Sequence, residues 1–226
     1  MAFDPSSRSR LTRGSLPRFP EETLFHRAAR VVCEVECLPR KELFEAWEVA
    51  RRTRRHFRGG RVVDLACGHG LVALLMLLLD ATSESALAVD KRLPKSARIL
   101  HDAFVRAWPR LDGRIELREG PLESVELEST DVVVSAHACG GLTDTVLTRA
   151  LEVRARVVVL PCCHDKSTGD TGGLSGWLDA PLAMDATRAS RLHHEGYQVR
   201  TQVIPASITP KNRLLIGAPR SGFKGV

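Results

Sequence analysis

The stretch Val62-Val63-Asp64-Leu65-Ala66-Cys67-Gly68-His69-Gly70, residues 62–70, decides the fold. It joins a short apolar strand to a turn with glycine at positions 68 and 70. Glycine tolerates positive φ and lets a ligand approach the backbone closely. A buried strand that enters such a turn is typical of an open α/β sheet, in which ligands bind beyond the carboxyl ends of the strands. The stretch therefore predicts a ligand site at this turn.

Strands and helices alternate on the carboxyl side of this turn. Valine-rich strands separated by helices indicate a parallel sheet covered on both faces. Two final strands follow each other without a helix, which predicts an antiparallel hairpin at the sheet edge. The strands are predicted at 61–66, 86–90, 114–118, 131–135, 156–160, 197–204 and 213–217, and helices at 71–79, 94–111, 143–153 and 185–195. The pattern predicts one α/β Rossmann-like domain over residues 59–220, with a seven-stranded, mostly parallel sheet.

The amino-terminal part is predicted to add helices to this domain. Apolar residues recur at helical spacing over 21–37 and 40–57, so residues 21–58 are expected to be helices packed on the domain. Residues 1–20 are rich in Ser, Arg and Pro and indicate a mobile basic tail. The longest apolar run has nine residues, 71–79, and residues 1–20 lack the apolar core of a signal peptide. A cytoplasmic location without membrane contact is the expectation.

Two carboxylates favour one class of cofactor. Asp90 ends the second strand about twenty residues after the glycine turn, where an acid can accept both ribose hydroxyls of an adenosine. Asp64 precedes the glycines, and a carboxylate there suits the positive amino-acid end of S-adenosylmethionine (SAM) and suits a pyrophosphate poorly. A dinucleotide remains an alternative, because Ala73 stands where G-x-G-x-x-G has its last glycine and the pattern tolerates alanine. A tight turn that binds nothing is the other alternative.

Four motifs in a fixed order resemble a known family. They are VVDLACGHG (62–70), AVDKR (88–92), VVVSAHACGGLTD (132–144) and VVVLPCCHD (157–165), with LPRKELFEAW (38–47) and ITPKNRLLIG (208–217) at the flanks. The set resembles the class I SAM-dependent methyltransferases of the group that includes acceptor-stem tRNA 2′-O-methyltransferases. That group also contains the methyltransferase-like domain of the glutathione S-transferase C-terminal domain-containing protein. The resemblance implies SAM as the methyl donor.

The resemblance also implies roles for particular residues. Asp64 would face the methionine amine, Asp90 would hold the ribose, and the turn at Gly120 and Leu122 would flank adenine. The transferred methyl group would lie near the end of the fourth strand. The expected cofactor-binding residues are Asp64, Ala66, Cys67, Gly68, Gly70, Asp90, Lys91, Gly120, Leu122, Ser135 and Ala136.

Histidines and cysteines follow the fourth and fifth strands, at His137–Cys139 and Cys162–His164. Adjacent parallel strands bring both groups to one cleft. His137 is the predicted general base, and Cys162 and His164 are predicted to complete the catalytic set. Zinc binding, a nucleophilic Cys162 and simple packing of the cysteines stay open. No metal ligand is assigned, because no closed set of four ligands has the usual spacing.

The methyl acceptor is the least determined feature. The chain carries a formal net charge of +6 and has a sequence pI near 9.3, which is compatible with a nucleic-acid partner. Five arginines lie between Arg51 and Arg58, and we expect them to contact RNA, most plausibly tRNA. A small molecule or a protein side chain is the alternative acceptor. A SAM-binding protein without catalytic activity is the alternative of a different class.

Overall fold

The computed structural model describes residues 3–136, 138–165, 167 and 169–220. Seven strands form one sheet in the order β3-β2-β1-β4-β5-β7-β6. The strands are β1 (Val62–Leu65), β2 (Ala86–Asp90), β3 (Ile115–Glu119), β4 (Val132–Ser135), β5 (Arg156–Val159), β6 (Tyr197–Val203) and β7 (Arg213–Pro219). The strand order reverses between β1 and β4, so the glycine turn after β1 lies at the switch point of the sheet.

The first five strands are parallel, and the last two close the sheet as predicted. β7 pairs antiparallel with both β5 and β6, so it lies inside the sheet while β6 forms the edge. This explains their composition, because Leu214, Leu215 and Ile216 on β7 are buried, whereas the residues of β6 after Tyr197 are half-buried or exposed. The predicted seven-stranded Rossmann-like fold with a terminal antiparallel pair is confirmed.

In the described part of the chain, six α-helices cover the sheet: α1 (Leu24–Val35), α2 (Arg40–His56), α3 (Leu71–Leu79), α4 (Lys95–Ala107), α5 (Leu142–Glu152) and α6 (Ala180–His194). Buried residues of α1 to α4 share one core with one face of the sheet, and buried residues of α5 and α6 share a second core with the other face. Helix α3 is apolar on every side because α2 and the sheet enclose it. Among the described residues, no helix combines the length and the apolarity needed to cross a bilayer.

The amino-terminal segment differs from the expected tail. Within its described part, residues 3–20, Leu11 and Phe19 are almost fully buried. The backbone N–H of Leu11 donates to the carbonyl oxygen of Leu38 at 2.9 Å, and residues 13–18 form a 3₁₀ helix. The tail prediction is therefore corrected for residues 3–20: a few apolar side chains anchor an otherwise polar segment on α1 and α2.

Helix α6 begins five residues before its predicted start at 185. The side chain of Asp179 accepts a hydrogen bond from the backbone N–H of Leu182 at 2.8 Å, and Pro181 occupies the first turn. An aspartate cap followed by proline is a strong helix-start signal. Apolar periodicity alone does not reveal this start signal.

Candidate functional site

The glycine turn after β1 is built as a close-approach site. Gly68 and Gly70 have φ of 56° and 71°, in the left-handed region. A Cβ atom on Gly70 would lie 3.0 Å from a methyl group of Leu117, so the turn also packs tightly on β3. The backbone N–H of Gly68 donates to Oδ2 of Asp90 at 2.8 Å, which joins the two predicted binding elements. Ala66 at the strand end also has a positive φ, of 56°.

Asp64 is a buried carboxylate with one unsatisfied oxygen. It is 1 % exposed, and its Oδ2 accepts only a long hydrogen bond, 3.3 Å, from the backbone N–H of Ala73. Its Oδ1 has no hydrogen-bond partner. Burial raises the pKa of Asp64 to about 8, the Ala73 N–H lowers it, and nearby Asp90 raises it further. A buried carboxylate in this state is suited to an ammonium partner, which SAM carries on its methionine end.

A cavity of about 240 Å³ lies at the ends of β2 and β3. The four predicted cofactor residues that line it are Ala66, Asp90, Lys91 and Leu122. The backbone N–H of Gly120 donates to the carbonyl oxygen of Asp90 at 2.9 Å and so positions the turn beside the cavity. A carboxylate at one wall and apolar Leu122 at another match a ribose and an adenine. Together with the unsatisfied Asp64, these residues fit SAM.

The side chains of three predicted cofactor residues are buried within the protein. The hydroxyl of Ser135 donates to the carbonyl oxygen of Leu65 at 2.6 Å and ties β4 to β1. Cys67 and Ala136 are 4 % and 2 % exposed. Burial raises the pKa of the Cys67 thiol above its ordinary range. Contact between these three residues and a cofactor would have to come from their backbone.

A second and larger cavity, of about 390 Å³, lies beside the glycine turn. Its lining comes from the amino-terminal segment, the start of α2, and the loops after β5 and before β7: Arg8, Pro39, Lys41, Glu42, Glu45, Cys162, Cys163, Thr209, Pro210 and Lys211. Glu42 connects the cavity to the turn, because its Oε1 is 3.6 Å from Nδ1 of His69. The cavity therefore adjoins the glycine turn.

Of the three predicted catalytic residues, the structure describes Cys162 and His164. His137 lies outside the described residues. His164 points to α6 instead of the larger cavity: its side chain is 4 % exposed and its Nε2 is 2.8 Å from Oδ1 of Asp185. Asp185 also binds Arg213 at 2.6 Å and Arg188 at 3.2 Å. This contact anchors the loop after β5 to α6, and the catalytic role of His164 stays a prediction.

Cys162 lines the larger cavity as expected, and two other thiols lie beside it. The sulfur atoms of Cys139, Cys162 and Cys163 all lie within 4.8 Å of one another. Burial raises the pKa of Cys162, so the thiol is protonated at neutral pH and is a poor nucleophile. This argues against the nucleophilic alternative.

Three of the five arginines between 51 and 58 are wholly or partly buried against partners within the protein, while Arg55 and Arg58 are exposed, and the RNA contact stays a prediction. Arg51 and Arg52 both bind Glu48, at 2.7 and 2.9 Å. Arg54 is 2 % exposed and lies 3.3 Å from the carboxylate of Asp80. The carboxyl end of α2 lies near the amino ends of the strands, because the side chain of Arg156, at the start of β5, donates to the carbonyl oxygen of residue 58. The glycine turn lies at the opposite, carboxyl ends of the strands.

Sequence reasoning missed the residues that shape the larger cavity. The flanking motifs 38–47 and 208–217 contain three of them, Glu42, Glu45 and Lys211, but the sequence pattern gives these residues no role. These motifs are separated from the glycine turn in sequence, and local periodicity carries no information on such long-range contacts. Arg8 was missed because residues 1–20 were treated as a tail.

Comparison with known proteins agrees with this geometry. Residues 42–169 match a family described as a methyltransferase domain. The mouse glutathione S-transferase C-terminal domain-containing protein is 23% identical over 203 residues, covering 71% of this chain and 30% of that protein. The chain thus spans less than a third of that relative's length.

Solved structures show the same fold. An O-methyltransferase family protein from Burkholderia thailandensis superposes with a TM-score of 0.54 at 21% identity, covering 94% of this chain and 64% of that one. The m1A22 tRNA methyltransferase TrmK of B. subtilis has a TM-score of 0.50 at 15% identity, with 76% and 65% coverage. The family match spans more than half of the chain and includes the glycine turn, Asp90 and the cysteine motifs. The chain belongs to this methyltransferase-domain family.

Proposed function

We propose that SAM binds across the ends of β1 and β2, with its ammonium on Asp64, its ribose on Asp90 and its adenine beside Leu122. The unsatisfied Oδ1 of Asp64 is the observation that carries this assignment. Bound SAM supplies a methyl group on a sulfonium centre. The protein holds the donor and lets it approach the main chain closely at Gly68 and Gly70. It also binds the acceptor in the adjoining cavity.

The cofactor assignment is tested by Asp90→Ala. Loss of charge-assisted hydrogen bonds to the ribose should weaken SAM binding by roughly 1–3 kcal/mol in calorimetry. Asp112→Asn is the control, because Asp112 is an exposed carboxylate after α4 and should leave the affinity unchanged. Normal SAM affinity in Asp90→Ala would remove the ribose assignment.

We further propose that the acceptor is RNA, with the target nucleotide held in the larger cavity. The observation that carries this proposal is the cationic mouth of that cavity, where Arg8 and Lys211 are exposed. Arg10 is exposed two residues from Arg8 on the packed amino-terminal segment. Guanidinium and ammonium groups there would contact phosphates on either side of the nucleotide. The proposed RNA contact therefore differs from the one predicted at the arginines of α2.

A small-molecule acceptor is the second candidate, and the carboxylates of the cavity favour it. The volume of about 390 Å³ falls within the range of small-molecule pockets. Glu45 is paired with Lys41 at 2.5 Å, and Glu42 lies beside His69. These carboxylates would bind donor groups or a positive charge on a compact acceptor.

Salt dependence separates the two candidates. RNA binding releases counterions, and on single strands log affinity falls with log salt by about 0.7 for each neutralised phosphate. Arg8→Gln combined with Lys211→Gln should therefore make the slope shallower by about 1.4. Arg55→Gln combined with Arg106→Gln is the matched control, because both residues are exposed and lie near the ends of α2 and α4. This double variant removes the same charge and should leave the slope unchanged.

Transfer from tritiated SAM to tRNA, rRNA and metabolite fractions completes the test. Labelled RNA that is lost in the Arg8/Lys211 variant supports the RNA proposal. Equal slopes in the two double variants, or label in the metabolite fraction alone, would favour the small-molecule acceptor. SAM affinity should be normal in both double variants, so failure of the acceptor proposal is distinguishable from failure of the cofactor proposal.

A further inference from the structure

Three thiols meet where β4 and β5 end. These strands are parallel neighbours with Ser135 opposite Val159, so residues a few positions beyond each strand share one edge of the sheet. The backbone N–H of Gly140 donates to the carbonyl oxygen of Cys163 at 3.1 Å and holds the two loops together. As a result Cys139 approaches Cys162 with 3.2 Å between sulfur atoms, and Cys163 completes the group.

Packing does not account for this arrangement. Cys139 and Cys163 are exposed, whereas Cys33, Cys37 and Cys67 are buried. Buried cysteines behave as small apolar side chains, and their burial is sufficient reason for their positions. Exposed thiols gain little from burial, so their convergence needs another explanation.

The spacing suits a tetrahedral metal ion. With Zn–S bonds of 2.3 Å, tetrahedral geometry places sulfur atoms about 3.8 Å apart. The observed separations, from 3.2 Å for one pair to at most 4.8 Å, lie on both sides of that value. A disulfide between Cys139 and Cys162 would instead use two sulfurs and leave the third, Cys163, without a role.

A positive charge lies beside the three thiols. Nζ of Lys211 donates to the sulfur of Cys163 over 3.9 Å, so the ammonium group is placed to offset part of the negative charge that metal-bound thiolates carry. Thiolates are soft ligands that select zinc over magnesium or calcium.

We infer that Cys139, Cys162 and Cys163 bind one Zn²⁺ ion in the wall of the larger cavity. Three protein ligands leave the fourth tetrahedral position to water or to an atom of the acceptor, as in catalytic rather than structural zinc sites. Cys162 and Cys163 line the cavity, so this position faces the space assigned to the acceptor. Three thiolates and Zn²⁺ carry a net charge of −1, which Lys211 partly offsets.

Metal content tests the inference without reference to methyl transfer. The protein is produced in zinc-supplemented medium, purified with a phosphine reductant, and analysed by mass spectrometry for metals. We expect about one zinc per chain, as a site of this kind binds tightly at neutral pH. Cys139→Ala and Cys163→Ala should each lower this below about 0.2, because two thiolates hold zinc far less tightly. Both positions are exposed, so these variants should fold.

Cys37→Ala is the control and should retain full zinc, because Cys37 is buried in the core and is not one of the three clustered thiols. Titration of the metal-free protein with Cd²⁺ gives a second readout, an ultraviolet thiolate-to-metal charge-transfer band that should saturate at one equivalent and vanish in Cys139→Ala. Less than about 0.2 zinc per reduced wild-type chain after incubation with zinc chloride would overturn the inference. Unchanged zinc in Cys139→Ala and Cys163→Ala would overturn it as well.

Discussion

Replacing Asp64 by asparagine should raise the stability of the SAM-free protein at neutral and alkaline pH while weakening SAM binding. Burial raises the pKa of this carboxyl from 3.8 to about 8. The protonated form is therefore the one that the folded protein favours. The resulting contribution to stability is fully present below about pH 4 and is lost as the pH rises through about 8.

The size of the effect follows from the difference between the two pKa values. One pKa unit corresponds to 1.36 kcal/mol, so a raise of about four units amounts to roughly 5 kcal/mol at most. Asparagine keeps the acceptor for the N–H of Ala73 and has no charge to bury. Its amide group leaves an unsatisfied donor at a cost of about 1–3 kcal/mol at every pH. The difference in stability between variant and wild type should thus grow by up to about 1.4 kcal/mol per pH unit between about pH 4 and about pH 8.

Urea unfolding followed by tryptophan fluorescence at several pH values measures this difference. Asp112→Asn is the control for an exposed carboxylate and should unfold in parallel with wild type at every pH. Parallel pH profiles for wild type and Asp64→Asn would refute the reasoning, since they would mean that Asp64 ionises normally in the folded protein.

SAM binding provides the second half of the test. Below about pH 7 the ammonium of SAM is charged, and Asp64 must release a proton to pair with it. Wild-type affinity should therefore rise by up to about tenfold per pH unit between about pH 5 and about pH 7, and the affinity of Asp64→Asn should be flat and about 10- to 100-fold weaker at pH 7. Calorimetry in buffers of different ionisation enthalpy counts the released proton. Equal affinities would refute the ammonium contact.

Three further predictions concern the scaffold around the site. Arg54→Ala leaves Asp80 without its buried partner and should destabilise the protein by about 3–5 kcal/mol in urea unfolding; a loss below about 1 kcal/mol would show that the pair is dispensable. Gly70→Ala must adopt φ of 71° with its Cβ close to a methyl group of Leu117, and should cost about 1–3 kcal/mol and lower SAM affinity; unchanged thermal unfolding and SAM affinity would contradict this. His164→Ala should lower the melting temperature, because it removes the contact with Asp185. Methyl transfer at permissive temperature should stay within about threefold of wild type. Loss of a general base would cost at least about 100-fold, and a loss of that size would identify His164 as a catalytic group.

The sequence by itself determined the parts of this protein that depend on local pattern. Valine-rich strands alternating with helices predict the parallel sheet, and the final pair of strands without a helix predicts the antiparallel edge. The glycines of VVDLACGHG predict a ligand site where a strand must turn into a helix, and that site stays a prediction. The sheet depends only on neighbouring residues along the chain, and the structure confirms it.

Only the tertiary structure decided which side chains meet. A run of arginines has the same local pattern whether it faces solvent or a buried carboxylate. The pattern therefore predicts an exposed Arg54, whereas in the structure Arg54 is buried beside Asp80. His164 follows a strand toward the expected cleft, but Asp185 on α6 draws its ring away. The cavity beside Glu42 and the three converging thiols join segments far apart in sequence, and their distances arise from the strand order of the sheet. Periodicity reports burial along one element, whereas partners and cavities depend on how the elements pack together.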